Sequence, residues 1–258
     1  MALAMSDGQP GNGMDVAADS VVTSRFDEAN LCRNCGALAM SKFCPECGQS
    51  TKVGIPRLVD LFHDGLGAMF SYDAKLWRTV VVLVTKPGQL TVDYIDGKRA
   101  RYLTPFQLFF WLEALTFLAH RLFFSKNPVE IDLKTKALLI IGGVVVAGLA
   151  VLNAPRKMKF VAHLIAGTHI WSFLMLLLLV EYTVVPGLTH VLQWGHILSS
   201  SFDVGSYLTL IAQVAMVVYL VLSIHRTYGK TYWTSILQAA VLFGLYEAVA
   251  RVIDRIWI

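Results

Sequence analysis

Two short sequences determine the fold of the N-terminal region: CRNCG at residues 32–36 and CPECG at residues 44–48. Each is a Cys-x-x-Cys-Gly knuckle, and eight residues separate the two cysteine pairs. Two such knuckles can place four thiolates around one metal ion, and tetrahedral Zn²⁺ suits this ligand set. The sequence therefore predicts a zinc ribbon of two short strands over residues 31–50, with one structural Zn²⁺. The predicted ligands are Cys32, Cys35, Cys44 and Cys47.

The chain has no other cysteine. A secreted protein with four cysteines would usually pair them as disulfides, whereas the doubled knuckle favours metal ligation in a reducing compartment. A dithiol redox pair, an iron–sulfur site and disulfides are the alternatives. No thioredoxin-like βαβ pattern surrounds either pair. Because about twenty residues cannot build a hydrophobic core, the metal must hold this unit together.

Composition separates a polar N-terminal part from an apolar remainder. Of 258 residues, 55% are hydrophobic and only 16% are charged, whereas about a quarter are charged in a soluble domain. The net charge of +4 is mild and gives no reason to expect nucleic acid as a partner. Residues 1–30 lack an apolar core of useful length and contain many Gly, Asp and Ser residues, which predicts a disordered tail and no signal peptide.

Residues 57–102 are predicted to form cytoplasmic amphipathic helices and a basic juxtamembrane segment. Apolar residues recur at helical spacing over 57–70. The apolar run at 75–86 is only about a dozen residues long, too short to span a bilayer, and it ends at Pro87-Gly88, a strong helix breaker. We expect both segments to lie on the cytoplasmic membrane surface.

Residues 103–258 are predicted to form an all-α helical membrane bundle. Each long apolar segment approaches or exceeds the length of about 17 residues that a spanning helix needs. About five transmembrane helices are expected, and charges at the end of the last one weaken its assignment. The predicted spans are 103–124, 137–152, 160–185, 207–224 and 232–250.

Lysine and arginine predict the orientation of this bundle. With the N-terminus in the cytosol, the inner segments hold 16 of these residues and the outer segments hold six. The predicted outer loop 186–206 holds none, whereas the short inner loop at 153–159 holds three. Cytoplasmic loops carry the excess of basic residues, so the sequence predicts a cytosolic N-terminus.

Four stretches of the sequence carry a resemblance to a known family. They are CPECGQ at 44–49, KPG at 86–88, DGKRARYLTPF at 96–106 and RTYG at 226–229. In these stretches the chain resembles a widespread, uncharacterised bacterial family of zinc-ribbon, multi-pass membrane proteins, a domain-of-unknown-function family. The resemblance implies bound zinc, several spans and a bacterial inner (cytoplasmic) membrane location. It implies no particular reaction.

A basic cluster lies immediately before the first predicted span. Lys98, Arg99 and Arg101 meet the negative surface of the inner leaflet, and Tyr102 lies at the interface. These residues are the predicted contacts to lipid headgroups or phosphate. Anchoring by the positive-inside rule alone is the alternative interpretation.

Polar residues inside the predicted spans form a second candidate site. Glu113 lies halfway along the first span, where an ionised carboxylate costs about 2.5–3.5 kcal/mol. We therefore expect it to be neutral or paired within the bundle. The residues predicted to share a polar core with it are His120, His169, Gln213 and Gln238. Such a core serves either as a proton or substrate path or as a hydrogen-bonded bundle interior.

Signatures of soluble enzymes are absent from the sequence, including H-E-x-x-H, G-x-S-x-G, the P-loop and G-x-G-x-x-G. The sequence therefore favours a non-enzymatic scaffold or adaptor that binds membrane lipids and a protein partner or a second copy of itself. A small transporter or transport accessory using Glu113 is the second hypothesis. A membrane-embedded enzyme acting on a lipid or phosphate-bearing substrate is the third.

Overall fold

A computed structural model of the chain describes residues 31–51, 57–59, 75–123, 142–153, 159–194 and 204–257. Contacts divide the chain into two units, Met1–Val53 and Gly54–Ile258. The predicted tail and most of the predicted amphipathic helix over residues 57–70 lie outside the described residues.

The N-terminal unit contains two knuckles with the same local structure. The Cys32 N–H donates to Ala37 O, and the Cys44 N–H donates to Gln49 O, both at 2.8 Å. A single antiparallel bridge closes each knuckle, where the sequence predicted a strand pair. The bridges join Leu31 with Leu38 and Phe43 with Ser50. The backbone N–H and C=O groups around the cysteines form hydrogen bonds within the turns, so they are not available to extend the β-bridges into strands. The described part of this unit therefore contains no extended strand.

The second unit is helical in its described residues. In chain order the helices are α1 (Lys75–Thr85), α2 (Gln89–Ile95), α3 (Pro105–Phe123), α4 (Gly142–Leu152), α5 (Phe160–Trp194), α6 (Val204–Tyr228) and α7 (Tyr232–Trp257). Three stretches are long and apolar enough to cross a membrane: Phe160–Val184, Gly205–Tyr228 and Tyr232–Val252. The predicted mostly helical membrane architecture is confirmed to this extent, with three candidate spans among the described residues.

The first two predicted spans coincide with α3 and α4. Helix α3 is 19 residues long, carries Glu113, His120 and Arg121, and is not among the three candidate spans. Only a shorter apolar helix is described for the second segment. The predicted loop at 186–206 starts too early, because α5 continues through Pro186 to Trp194. A proline is tolerated in such helices where neighbouring groups satisfy the freed carbonyl.

Gly88 determines how closely the break between α1 and α2 approaches α6. Pro87 cannot continue α1, and Gly88 adopts a left-handed conformation with φ of 77°. A Cβ atom at this position would lie 3.0 Å from the Ser223 carbonyl oxygen and 3.2 Å from Thr227 Oγ1. Both the backbone conformation and the contact therefore require glycine, and helix α2 packs against α5 and α6.

A reciprocal cap begins α3. The Thr104 N–H donates to Gln107 Oε1 at 2.9 Å, and the Gln107 N–H donates to Thr104 Oγ1 at 3.3 Å. Pro105 occupies the first helical position, where its missing N–H costs nothing. The Leu103 N–H donates to the buried Thr79 hydroxyl at 3.0 Å, so α1 is tied to the start of α3.

Helix α3 buries one face against α5 and exposes large apolar side chains elsewhere. Leu108, Leu112 and Thr116 are buried at four-residue spacing. The Thr116 hydroxyl donates to the Met175 carbonyl of α5 at 3.0 Å. The exposed apolar side chains of this helix include Phe110, Leu115, Phe117, Leu118 and Leu122. An apolar exposed surface of this extent suits lipid better than water.

Substituting Gly88 by alanine tests this packing. We expect Gly88→Ala to lower stability by about 1–3 kcal/mol, because it adds left-handed strain and a backbone contact. Gly143→Ala is the matched control, since a Cβ there meets nothing within 4 Å. The thermal midpoint of the purified protein in detergent measures both, and equal midpoints for the two variants would contradict the assignment.

Candidate metal centre and interhelical polar cluster

The four cysteine thiols converge within the N-terminal unit. All four sulfur atoms lie within 4.8 Å of one another. Cys32 Sγ is 3.6 Å from Cys47 Sγ, and Cys35 Sγ is 3.5 Å from Cys44 Sγ. Ligands at about 2.3 Å from a tetrahedral ion are about 3.8 Å apart. The sulfur positions therefore fit a four-coordinate metal centre.

The knuckle glycines allow the chain to turn beneath the sulfurs. Gly36 and Gly48 have φ angles of 78° and 69°, which side chains of L-residues rarely adopt. Their N–H groups donate to Cys32 O at 2.8 Å and to Cys44 O at 2.9 Å. The two turns thus present their cysteine pairs in the same way, and this equivalence suits one shared ion.

The thiols of the cluster do not share negative charge evenly. The pKa of Cys47 falls to about 6: desolvation raises it, but the Gln49 backbone, the Asn34 side chain and neighbouring thiols lower it further. The pKa of Cys35 rises to about 12, because desolvation and the three other thiols outweigh a hydrogen bond from the Ala37 backbone. Four thiolates this close repel one another, and a bound cation would remove that repulsion.

A second set of polar contacts lies at one end of the helical unit, where α2 meets α5 and α6. Thr91 and His169 are both buried, and Thr91 Oγ1 is 2.9 Å from His169 Nδ1. His163 Nδ1 is 2.9 Å from the Tyr228 hydroxyl, joining α5 to α6. Arg226 Nη1 donates to the Pro87 carbonyl at 2.7 Å. These contacts connect the three helices.

Asp93 is the buried carboxylate of α2. Gln89 Nε2 donates to Asp93 Oδ1 at 2.9 Å, and Lys98 Nζ lies 3.5 Å from the same oxygen. The Lys98 N–H also donates to Asp93 O at 2.7 Å. The Lys98 side chain is 44% exposed, so its charge contributes little stability and the hydrogen bonds contribute more.

The predicted lipid or phosphate contacts take different positions. Lys98 pairs with Asp93, whereas Arg99 Nε donates to Tyr94 O at 3.3 Å and its guanidinium lies 4.5 Å from the Tyr94 ring centroid. Arg101 is exposed, and Tyr102 packs against the main core. Lys98 and Arg99 thus both make contacts with residues of α2.

The predicted intramembrane polar residues have separate partners. The His120 ring lies 5.0 Å from the Tyr182 ring, whereas His169 contacts Thr91. Gln238 Nε2 donates to the Leu152 carbonyl at 3.1 Å, and this carbonyl also accepts a hydrogen bond of 3.3 Å from Lys230 Nζ.

Gln213 and Glu113 complete this group. Gln213 is exposed and lines a cavity of about 100 Å³ together with Glu181 and Thr209. Glu113 Oε2 is buried, and no described residue hydrogen-bonds to it. Among the described residues, the five predicted residues therefore have different contacts along the bundle and do not form one cluster.

Several residues of the polar cluster were not selected by sequence reasoning. Thr91 and Asp93 lie between the KPG and DGKR stretches. The four-residue spacing from Gln89 to Asp93 is the sequence signal that could have predicted their hydrogen bond. Tyr228 lies within the RTYG stretch, and His163 lies near the start of α5. Their pairing depends on tertiary packing that a single sequence does not display.

Comparison with known proteins gives one match. Residues 73–117 match the model of a family described as a protein of unknown function (DUF3667). The matched segment contains α1, α2, the basic cluster and α3 as far as residue 117. It includes the KPG and DGKRARYLTPF stretches, whereas the cysteine knuckles and RTYG lie outside it. No curated protein and no solved structure matches the chain.

Replacing one thiol tests the metal centre. We expect Cys44→Ser to lower bound metal severalfold, since Cys44 is buried and pairs closely with Cys35. Elemental analysis of purified protein should give one metal ion per wild-type chain. Ser41→Ala, an exposed change outside the cluster, is the control. Equal metal content in wild type and Cys44→Ser would contradict a four-thiol site.

Replacing Thr91 tests the polar cluster. We expect Thr91→Val to lower stability by about 1–2 kcal/mol, because it leaves a buried His169 nitrogen without its partner. Thr85→Val is the matched control, since the exposed Thr85 hydroxyl bonds only within α1, to Val81 O. Thermal midpoints in detergent measure the difference, and an unchanged midpoint for Thr91→Val would show that the buried hydrogen bond contributes nothing.

Proposed function

We propose that the protein is a non-enzymatic membrane scaffold whose N-terminal unit, held by a structural Zn²⁺, presents a docking surface to a protein partner. The observation that carries this proposal is the four-thiol cluster. A Cys₄ set fills every position of a tetrahedral ion and leaves none for water or substrate. Zinc is favoured over iron because such small ribbons fold around it, and elemental analysis distinguishes the two.

The surface of the N-terminal unit supports docking. Leu31, Leu38, Met40 and Phe43 are between 46% and 78% exposed. In a unit this small, four exposed large apolar side chains form a substantial fraction of the surface, and such surfaces are typical of interaction sites. A metal-held fold would keep these side chains fixed for a protein partner or for a second copy of the chain.

The ends of the helices support the predicted five crossings. Phe106, near the start of α3, packs with Tyr94 and Ile165. Leu152, at the end of α4, accepts hydrogen bonds from Lys230 and Gln238, near the start of α7. The α5–α6 contact between His163 and Tyr228 lies at the same end. This arrangement is expected if α3, α5 and α7 start at the end of the bundle that holds the basic residues, and α4 and α6 finish there.

The same arrangement supports a cytosolic basic end. It gathers the basic residues of the 98–101 segment with Arg226 and Lys230 around neighbouring helix ends. Under the positive-inside rule we infer that this end, and the N-terminus, face the cytosol. The thiolates need the same reducing compartment. We infer that the protein lies in the inner (cytoplasmic) membrane of a bacterium.

The transport and enzyme hypotheses receive less support. Glu113 lines neither of the two described cavities. A substrate or proton path that uses Glu113 would require a cavity that reaches it. Polar groups of α2 already have hydrogen-bond partners: Thr91 with His169 of α5, and Gln89 with Asp93 within α2. Groups satisfied in this way stabilise the packing and the conformation of α2, which favours a structural role over a catalytic one.

Site-specific photocrosslinking tests the scaffold proposal. A photoreactive residue at Met40 should give one discrete adduct in cells, and Cys44→Ser should abolish it because the unit loses its metal-held fold. A photoreactive residue at Glu46, an exposed charged position, is the control. The adduct's mass distinguishes a partner protein from a second copy. Equal labelling from Met40 and Glu46, unaffected by Cys44→Ser, would refute the docking surface.

Glu113 variants separate the scaffold from the transporter. If Glu113 is structural, Glu113→Gln keeps the hydrogen-bonding capacity and should leave both stability and cellular function unchanged. If Glu113 carries protons, the same variant should keep stability but abolish function, because an amide cannot titrate. We expect the first result, measured by thermal midpoint and by complementation of a deletion strain. Full stability with lost complementation would instead establish the transport role.

A further inference from the structure

An apolar groove lies between α3, α4 and α5. Its volume is about 360 Å³, within the range of about 300–1,000 Å³ typical of small-molecule sites. Phe109, Ala147 and Trp171 are among its lining residues. Thr168 contributes a hydroxyl, but that hydroxyl already donates to Leu164 O within α5 at 2.8 Å. The lining therefore suits an apolar ligand.

Two consecutive glycines open the groove on the α4 side. A Cβ on Gly142 would lie 3.4 Å from the Trp171 ring, in close contact with the groove floor, whereas a Cβ on Gly143 would meet nothing within 4 Å. The space beside Gly143 is therefore free to be filled, either by a ligand or by an introduced side chain. Gly143 is also exposed, so a larger residue there need not disturb the core.

Two basic residues adjoin one end of the groove. Phe106 and Leu164 line the groove and also pack against the cluster of Tyr94 and Ile165. The Arg99 guanidinium lies 4.5 Å from the Tyr94 ring centroid, so this cation contacts the same cluster as the groove lining. Lys159 is exposed and immediately precedes Phe160, which also lines the groove.

We propose that this groove binds an acyl chain of an anionic phospholipid, with the phosphate of the headgroup between Arg99 and Lys159. The inference rests on the proposed membrane location of the helical unit. A phospholipid combines the two required chemistries, an apolar chain for the groove and an anion for its basic end.

Lipid retention measured by native mass spectrometry tests the proposal. The full chain in mild detergent is mixed with phosphatidylglycerol or with phosphatidylcholine carrying the same acyl chains. We expect one retained phosphatidylglycerol per chain, about fivefold preferred over phosphatidylcholine, as one or two interfacial cations would give. Arg99→Gln should reduce this preference while leaving retention of phosphatidylcholine unchanged.

Filling the groove should remove the lipid. We expect Gly143→Leu to lower retention of both lipids about tenfold, since several methylenes lose their buried site. Gly244→Leu is the matched control: a Cβ at Gly244 also meets nothing within 4 Å, and this residue of α7 does not line the groove. Ala147→Phe fills the same groove from a second position if Gly143→Leu fails to fold.

The alternative outcomes are distinct. Undiminished phosphatidylglycerol on folded Gly143→Leu or Ala147→Phe would overturn the groove as the site. If the wild type retains no lipid and forms a dimer that these variants lose, the groove would be assigned to a second copy of the chain instead.

Carbonate extraction of cell membranes that contain the protein checks the premise that the chain is inserted in the membrane. A chain released by carbonate would refute the proposed membrane function, whereas an inserted chain without lipid preference would refute the groove inference alone.

Discussion

The buried hydrogen bond between Thr91 and His169 is the interaction on which one end of the helical unit depends. Helix α2 is only seven residues long, and a helix of this length is not stable alone in water. Its position comes from contacts with α5 and α6: Gly88 against Ser223, Thr91 with His169, and the Pro87 carbonyl with Arg226. Inside an apolar bundle these polar groups have few other partners, so each contact specifies position as well as adding stability.

The two units are stabilised by different physical means. The helical unit has a large buried core in which aromatic and aliphatic side chains from all seven described helices meet. The described N-terminal unit buries little beyond Cys32, Ala39 and Cys44. Without a metal, four neighbouring thiolates would repel one another. The cation would therefore supply the cohesion that hydrophobic burial supplies elsewhere.

The sequence predicted features that depend on local spacing. The clustering of the cysteines followed from the doubled knuckle, the break at Gly88 followed from Pro87, and the apolar spans followed from segment length. It did not predict tertiary pairings. The His163–Tyr228 and Thr91–His169 pairs join residues far apart in the chain, and depth in the membrane was a poor guide to which polar residues meet. His120 and His169 are on the expected buried faces, yet they contact Tyr182 and Thr91 rather than each other.

The matched family segment, 73–117, contains the basic cluster and most of the residues that place it against the bundle. Within it, Asp93 holds Lys98 and Tyr94 holds Arg99, so the cations have defined positions rather than a general anchoring role. A positive-inside anchor needs only charge near the interface and would tolerate any conformation. Arg99 contacts Tyr94, and the cluster of Tyr94 and Ile165 also contacts Phe106, a residue that lines the groove between α3, α4 and α5. This arrangement supports the proposed recognition of an anion at a set position, in addition to orientation of the bundle.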